Sequence, residues 1–276
     1  MPNTSQHPPD RGDTALPLRR APGCTSRTGA LCLVTLCLLD TGFKPARAEP
    51  RQRLIVLDPG HGGTDSGALS TDGSLSEARL VLDIAKRVRR ILLRRDPGLL
   101  VLMTREHDIA VSLEERIALA NAWNADVFLS LHLNAASSSV RKGGVVTFVL
   151  DRRDGQDIEE DRVRQGPSHG GDPRGLQRVL SSLQRGDLAE RSKQLARSVQ
   201  RLTVATGRRG LPSLADRGVR RRLFSVLLGA RMPAALLEAA FLTEPREAAA
   251  LRTERYRELL AGGIAEGILS YLQAVS

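Results

Sequence analysis

The stretch Arg53-Leu-Ile-Val-Leu-Asp-Pro-Gly-His-Gly-Gly63 sets the reading of the chain. Leu54-Ile55-Val56-Leu57 is a short apolar run, partly β-branched, halted by Asp58-Pro59-Gly60. A run of that length ended by a turn signal predicts a buried strand rather than a helix. Directly after the turn stands His61, one of only five histidines, among glycines that let another molecule approach closely. Alone, His61 reads equally as a hydrogen-bonded turn residue or as a group placed for chemistry. Its meaning depends on partners elsewhere in the chain.

Further apolar runs predict strands at 53–58, 99–104, 126–132, 144–150, 223–228 and 234–239. Helical stripes lie between and after them: Leu80, Ile84, Val88, Ile91 and Leu92; Leu113, Ile117 and Ala120; Leu188, Leu195, Val199 and Leu202; and Tyr256, Leu260, Ile264, Ile268 and Leu272. Buried strands alternating with amphipathic helices predict an α/β layered domain with helices on both faces of the sheet. No repeat and no internal boundary appears within 50–276.

The first 48 residues have a different character. A polar, arginine-containing opening leads to Ala30-Leu-Cys-Leu-Val-Thr-Leu-Cys-Leu-Leu39, too short for a permanent span, and then to Ala46-Arg47-Ala48. This is the pattern of an export signal with a small-residue cleavage site, so residues 1–48 are expected to be removed, leaving no integral anchor. Arg19-Arg20 lacks the flanks of a twin-arginine signal. All three cysteines lie in this segment, so the mature chain is expected to be disulfide-free. The leader holds six basic and three acidic residues, which leaves +7 of the formal +10. With arginines scattered along helices and only 3% aromatic residues, the charge reads as a solvated basic surface that tolerates an anionic polymer. A nucleic-acid footprint is not expected.

His132 gives His61 its first partner. In Asp126-Val-Phe-Leu-Ser-Leu-His-Leu-Asn-Ala135 it too follows an apolar run, and ligand sites of α/β sheets form outside the carboxyl ends of strands. A catalytic zinc site takes three such donors and leaves one position open. Glu77 is the candidate third. Ser74-Leu75-Ser76-Glu77 also fits a capping box, as does Ser112-Leu113-Glu114-Glu115, where capping is the expected role. For Glu77 the position sixteen residues after His61, at the first turn of the next helix, makes a ligand geometrically easy and outweighs the cap. Glu238, inside the apolar Pro233-Ala-Ala-Leu-Leu-Glu-Ala-Ala-Phe241, is expected to be a buried carboxylate, which needs a purpose. A structural ion pair with an arginine and a general base are its two readings.

Together these motifs resemble the zinc-dependent N-acetylmuramoyl-L-alanine amidases of the cell-separation type. LDPGHGGTDSGA (57–68) is similar to that family's first histidine motif, SEARLVLDIAKRV (76–88) to its glutamate-bearing helix start, and SLHLNA (130–135) to its second histidine motif. RGVRRRLFSVLLGARMPAALLEAAFLTEPRE (217–247) is similar to its C-terminal segment. The resemblance covers about residues 53–272, with the motifs in order. It implies one three-layer α/β domain over 49–276, a six-stranded mixed sheet, one zinc ion held by His61, Glu77 and His132, and Glu238 as catalytic base. The implied reaction is hydrolysis of the amide between N-acetylmuramic acid and L-alanine, in the periplasm of a Gram-negative-type bacterium, by a monomer that acts on peptidoglycan during daughter-cell separation. Asn134, where the family varies between Asp and Asn, is not counted as a ligand.

Residues 151–186 break the strand–helix pattern. They are charged and glycine-rich, yet Leu176, Val179, Leu180 and Leu183 fall at helical spacing after Asp172-Pro173. The resemblance implies a regulatory insert here that covers the zinc cleft, with Glu159 or Glu160 on the metal, released by a LytM-domain activator.

Overall fold

The computed structural model describes residues 51–136, 143–150 and 186–275. Six strands form one mixed sheet: β1 (Leu54–Pro59), β2 (Leu100–Met103), β3 (Val127–Asn134), β4 (Val145–Leu150), β5 (Asp216–Arg222) and β6 (Ala234–Phe241). Five helices accompany it: α1 (Glu77–Arg95), α2 (Leu113–Ala122), α3 (Gly186–Gly207), α4 (Pro245–Leu251) and α5 (Glu254–Ala274). The strand order is β2-β1-β3-β6-β4-β5. All neighbours run parallel except β4 and β6, which are antiparallel. The last strand in the chain, β6, therefore lies between β3 and β4.

Alternation along each strand divides the core in two. Ile55 and Leu57 of β1, Leu129 and Leu131 of β3 and Leu237 of β6 pack against α1, α3 and α5. The α1 and α5 stripes read from the sequence are buried throughout. Leu54, Val56, Phe128 and Leu236 face the other way, onto Ile117 and Ala120 of α2 and a short 3₁₀ turn at Ser225–Leu227. That cover is partial, and the uncovered part of this face becomes the floor of the functional cleft. No helix of the described residues is long and apolar enough to cross a membrane.

Five expected strands coincide with β1, β2, β3, β4 and β6. The sixth does not: residues 223–228 run through the 3₁₀ turn, and the strand is the preceding Asp-Arg-Gly-Val-Arg-Arg-Arg segment. Leu223, Phe224, Val226 and Leu227 are buried, but by a turn folding over the sheet. As an edge strand with one neighbour, β5 needs no apolar faces of its own. The leader (1–48) and most of the insert (151–186), with Glu159 and Glu160, lie outside the described residues.

Candidate metal centre

His61, Glu77 and His132 converge from three elements at one end of β1 and β3. One donor atom from each lies within 4.8 Å of the others. Glu77 is the hub: its Oε1 is 3.1 Å from His61 Nε2 and 2.9 Å from His132 Nδ1, and it accepts from the Leu133 amide at 2.9 Å. Its Oε2 accepts from the Ala68 amide at 2.9 Å. The helix start is Ser76, which makes no side-chain cap, so the glutamate is spent on the histidines. At Ser112 the expected capping box with Glu115 does form.

The two imidazoles meet edge to face with centroids 4.9 Å apart. Their closeness depends on missing side chains. A Cβ on Gly60 would lie 2.2 Å from His132 Cε1, and one on Gly67 would lie 2.7 Å from both Glu77 Oε2 and His61 Cδ2. Gly67 also has φ of +63°, a conformation that favours glycine.

His61 itself has φ of 59°. A non-glycine residue in the left-handed region costs of order ~1–3 kcal/mol and persists only where its surroundings hold it. Two buried arginines supply the hold. Arg116 donates to Pro59 O and His61 O, each at 2.8 Å, and Arg105 donates to Pro59 O at 2.9 Å and Gly60 O at 2.8 Å. Three consecutive carbonyls of the turn are thus fixed by guanidinium groups. Arg105 also reaches Ala78 O on α1 at 2.8 Å, tying the helix that carries Glu77 to the turn that carries His61. Arg116 is neutralised by Asp58, which is fully buried and takes Arg116 Nη1 at 2.7 Å, Thr104 Oγ1 at 2.6 Å and Ser130 Oγ at 2.7 Å. Burial alone would raise the Asp58 carboxyl; the Arg116 charge and the three donors outweigh it and hold the group below its ordinary range.

Asp65 completes the histidine geometry. Its Oδ2 lies 2.7 Å from His61 Nδ1, fixing that nitrogen as the one turned away from Glu77 and His132 and leaving Nε2 for a ligand. Burial pushes the His61 imidazole down, but the bonds to Asp65 and Glu77 and their charges carry it up to about 10. Burial pushes the Glu77 carboxyl up, but the bonds from His132 and His61 and their charges outweigh it and hold the group well below the usual carboxylate range. An ionised glutamate flanked by two imidazoles, with a carboxylate behind one of them, is a cation site in its chemistry. A His₂-carboxylate set also matches catalytic zinc.

Glu238 stands opposite His132 in the β3–β6 register and lines the same cavity, of about 630 Å³, as the three candidate ligands. The floor beyond it is Val146, Phe148 and Leu236, and the far wall carries Arg217, Arg220 and Arg222 of β5. The expected ligands His61, Glu77 and His132 and the expected base Glu238 therefore share one cleft, while Glu159 and Glu160 lie outside the described residues. Asp58, Asp65, Arg105 and Arg116 support these residues from outside the cleft lining, and sequence reasoning misses them.

The N-acetylmuramoyl-L-alanine amidase family model matches residues 55–270. The chain is 31% identical over 235 residues to N-acetylmuramoyl-L-alanine amidase AmiA of Escherichia coli K12, covering 82% of this chain and 78% of that one. The crystal structure of an N-acetylmuramoyl-L-alanine amidase from Clostridium difficile 630 superposes with a TM-score of 0.63 at 31% identity, over 82% of this chain and 99% of that one. The CwlD amidase of Clostridioides difficile, solved in complex with the GerS lipoprotein, is similar at a TM-score of 0.60 and 28% identity, over 81% of this chain and all of that one.

Proposed function

The chain belongs to the N-acetylmuramoyl-L-alanine amidase family, and from that membership we propose that it cleaves the amide between the lactyl group of N-acetylmuramic acid and L-alanine in peptidoglycan, with zinc held by His61, Glu77 and His132. The observation that carries the reading is the meeting of the three donor groups beside Glu238 in one cleft. Zinc held there supplies Lewis-acid polarisation of the amide carbonyl and lowers the pKa of the attacking water. The chain's own residues do the rest. Glu238, on the rigid central strand, takes the proton from that water as its oxygen bonds to the carbonyl carbon. The same carboxyl returns the proton to the alanine nitrogen as the C–N bond breaks. Asp65 and the guanidinium-fixed turn keep His61 aimed, and Val146, Phe148 and Leu236 give the cleft an apolar floor that limits competing water.

Amide hydrolysis also suits this acid–base inventory better than glycan cleavage, which normally uses two carboxylates flanking the bond. Glu77 is engaged with both histidines, which leaves Glu238 as the base. The test is digestion of purified wall by the zinc-loaded protein, with products read by mass spectrometry. Intact peptides beginning with L-alanine and uncut glycan chains are expected; new reducing sugar ends would overturn the reading. His61→Ala and His132→Ala should each lose tight zinc binding, whereas Glu238→Ala should keep zinc and lose activity. Loss of metal by the Glu238 variant would reverse the role assignment.

The biological setting belongs to the same proposal. Residues 1–48 direct export, and the enzyme acts in wall remodelling and daughter-cell separation. The insert at 151–186 holds it inactive through Glu159 or Glu160 until an activator of the LytM-domain class binds. Support for this comes from the resemblance and from the acidic run Asp157-Ile-Glu-Glu-Asp161. Deleting 155–184 should raise basal activity on purified wall, and a folded, zinc-loaded deletion protein without that gain would remove the autoinhibition.

A further inference from the structure

The wall of the cleft opposite the candidate ligands is built in an unusual way. Along β4 and β5 the pairs run Val145 with Asp216 but Thr147 with Val219, so three residues of β5 span two of β4. Side chains alternate along a strand, and positions 217 and 220, three apart, would otherwise point to opposite faces. The extra residue resets the phase, and Arg217, Arg220 and Arg222 all line the cleft. The bulge is anchored rather than loose. Gly218 turns at φ of +71°, its amide donates to Asp216 Oδ1 at 2.9 Å, and the same oxygen accepts from the buried Gln200 at 2.5 Å. Gln200 in turn holds Val145 O and Thr147 Oγ1 of β4.

Two of the three guanidinium groups are already ordered by stacking. Arg217 lies over the Phe241 ring at 5.6 Å, with its Nε bonded to Gly143 O, and Arg222 lies over Phe224 at 5.4 Å. Stacking of this kind leaves the edges of the fork for in-plane donors. A planar carboxylate accepts two parallel bonds from such an edge, and side chains held beforehand lose less freedom on binding.

We propose that Arg217, Arg220 and Arg222 recognise carboxylates on the peptide half of the substrate, a refinement that rests on the amidase reading above. The two halves of that substrate differ in charge: the glycan side is neutral around the scissile amide, while the peptide side carries free carboxylates. A cationic wall selects the peptide side and so fixes which way the substrate lies. The reach agrees. From β6, which carries Glu238, to β5 is two strand spacings, about 10 Å. An extended peptide advances roughly 3.3–3.6 Å per residue, so the carboxylate read by the wall lies about three residues past the cleaved bond. Binding energy taken so far from the reacting centre serves to orient it.

The test uses the full zinc-loaded chain and two soluble muramyl peptides, identical except that one has free peptide carboxylates and the other has them converted to amides. The wild type should prefer the acidic substrate by about tenfold or more in kcat/KM, the scale of a charge-assisted bond in a cleft. Arg220→Gln and Arg222→Gln should each remove most of that preference, lowering kcat/KM several-fold more on the acidic substrate than on the amidated one, and Arg220→Lys should keep part of it. Calorimetric titration with the released acidic peptide should give weaker binding to both glutamine variants and, for the wild type, weaker binding at high salt. Equal losses on both substrates would make the arginines merely structural and overturn the proposal, as would a wild type without preference. Cleavage of neither substrate by the wild type would remove the amidase reading itself, an outcome distinct from equal cleavage of both.

Discussion

Replacing Arg116 by methionine keeps most of the side chain's length and removes its charge and its donors. Two consequences follow. Asp58 stays buried with Thr104 and Ser130 but loses its counter-ion; and Pro59 O and His61 O lose a donor each, so the left-handed His61 is no longer held at its own carbonyl. Breaking a buried ion pair from one side costs about 3–5 kcal/mol, because the remaining charge is uncompensated. For a domain of this size that is a fall of roughly 6–20 °C in Tm. Zinc affinity should drop by about 10–100-fold, the usual effect of losing support behind a ligand. Urea denaturation of the metal-free protein and zinc titration against a competing chelator measure the two effects separately. Asp58 is held low in the wild type, so its contribution is present at neutral pH and lost as pH falls through its folded pKa. In the variant, protonation instead relieves the stranded charge. The stability gap between the two proteins should therefore narrow on acidification. The double variant Arg116→Met with Asp58→Asn should recover much of the loss. A single variant within about 1 kcal/mol of wild type, or a double variant no better than the single, would refute the argument that the buried charge pair anchors the site.

Other expected outcomes can be read from the same geometry. Gly60→Ala places a methyl group 2.2 Å from His132 Cε1, so zinc affinity should fall at least about tenfold with a stability loss of about 1–3 kcal/mol; unchanged zinc binding would mean that the ring has room to move. Asp65→Ala removes the bond to His61 Nδ1 and should weaken zinc binding about 10–100-fold while changing stability little, as checked by the same titration. Glu247 is buried beside Gly143 and its carboxyl is raised by desolvation to about 6, despite accepting from the Phe241 amide at 2.7 Å. A carboxyl raised in the folded state favours folding at low pH, and that contribution is lost between about pH 4.5 and 6. Relative to Glu247→Gln, the wild type should lose about 2 kcal/mol across that window; parallel denaturation curves at both ends would contradict it.

The sequence and the structure diverge according to what each residue's environment looks like in one dimension. β1, β3 and β6 are central strands, so their apolar runs are conspicuous and the polar site residues in or just after them stand out. β5 is an edge strand whose outward groups are arginines, and nothing in Asp216–Arg222 announces a strand; the buried Leu223–Leu227 beside it carries the apolar signal instead. Three of the four residues expected at the cleft are legible because each is anomalous for its neighbourhood, a histidine closing an apolar run or a glutamate inside one; Glu77, which also fits a capping box, stands out only by its position after His61. The supporting residues are not anomalous. Arg116 looks like any helix arginine, and Arg105 sits in a charged string with Glu106, His107 and Asp108, yet Arg105 is only 2% exposed and is satisfied by backbone carbonyls. A buried guanidinium whose partners are carbonyl groups leaves no trace in spacing or composition. Asp65 left a faint one, four residues after His61 with two glycines between them.

The central position of β6 also governs when the enzyme can come into being. The strand that carries Glu238 enters between β3 and β4 but begins, at Ala234, a full 100 positions after β3 ends at Asn134. Before Ala234–Phe241 is in place, β3 lacks its second neighbour and β4 and β5 are a detached pair. Pairings of such long sequence separation form late and slowly, because chain closure must precede the contacts that reward it. A nascent chain therefore presents the unpaired edges of β3 and β4 to its surroundings, the state in which such chains aggregate or recruit chaperones. It also holds the two histidines and Glu77 without Glu238. On the roles proposed above, the topology separates the residues that would hold a metal from the general base, so hydrolysis becomes possible only once β6 has entered the sheet.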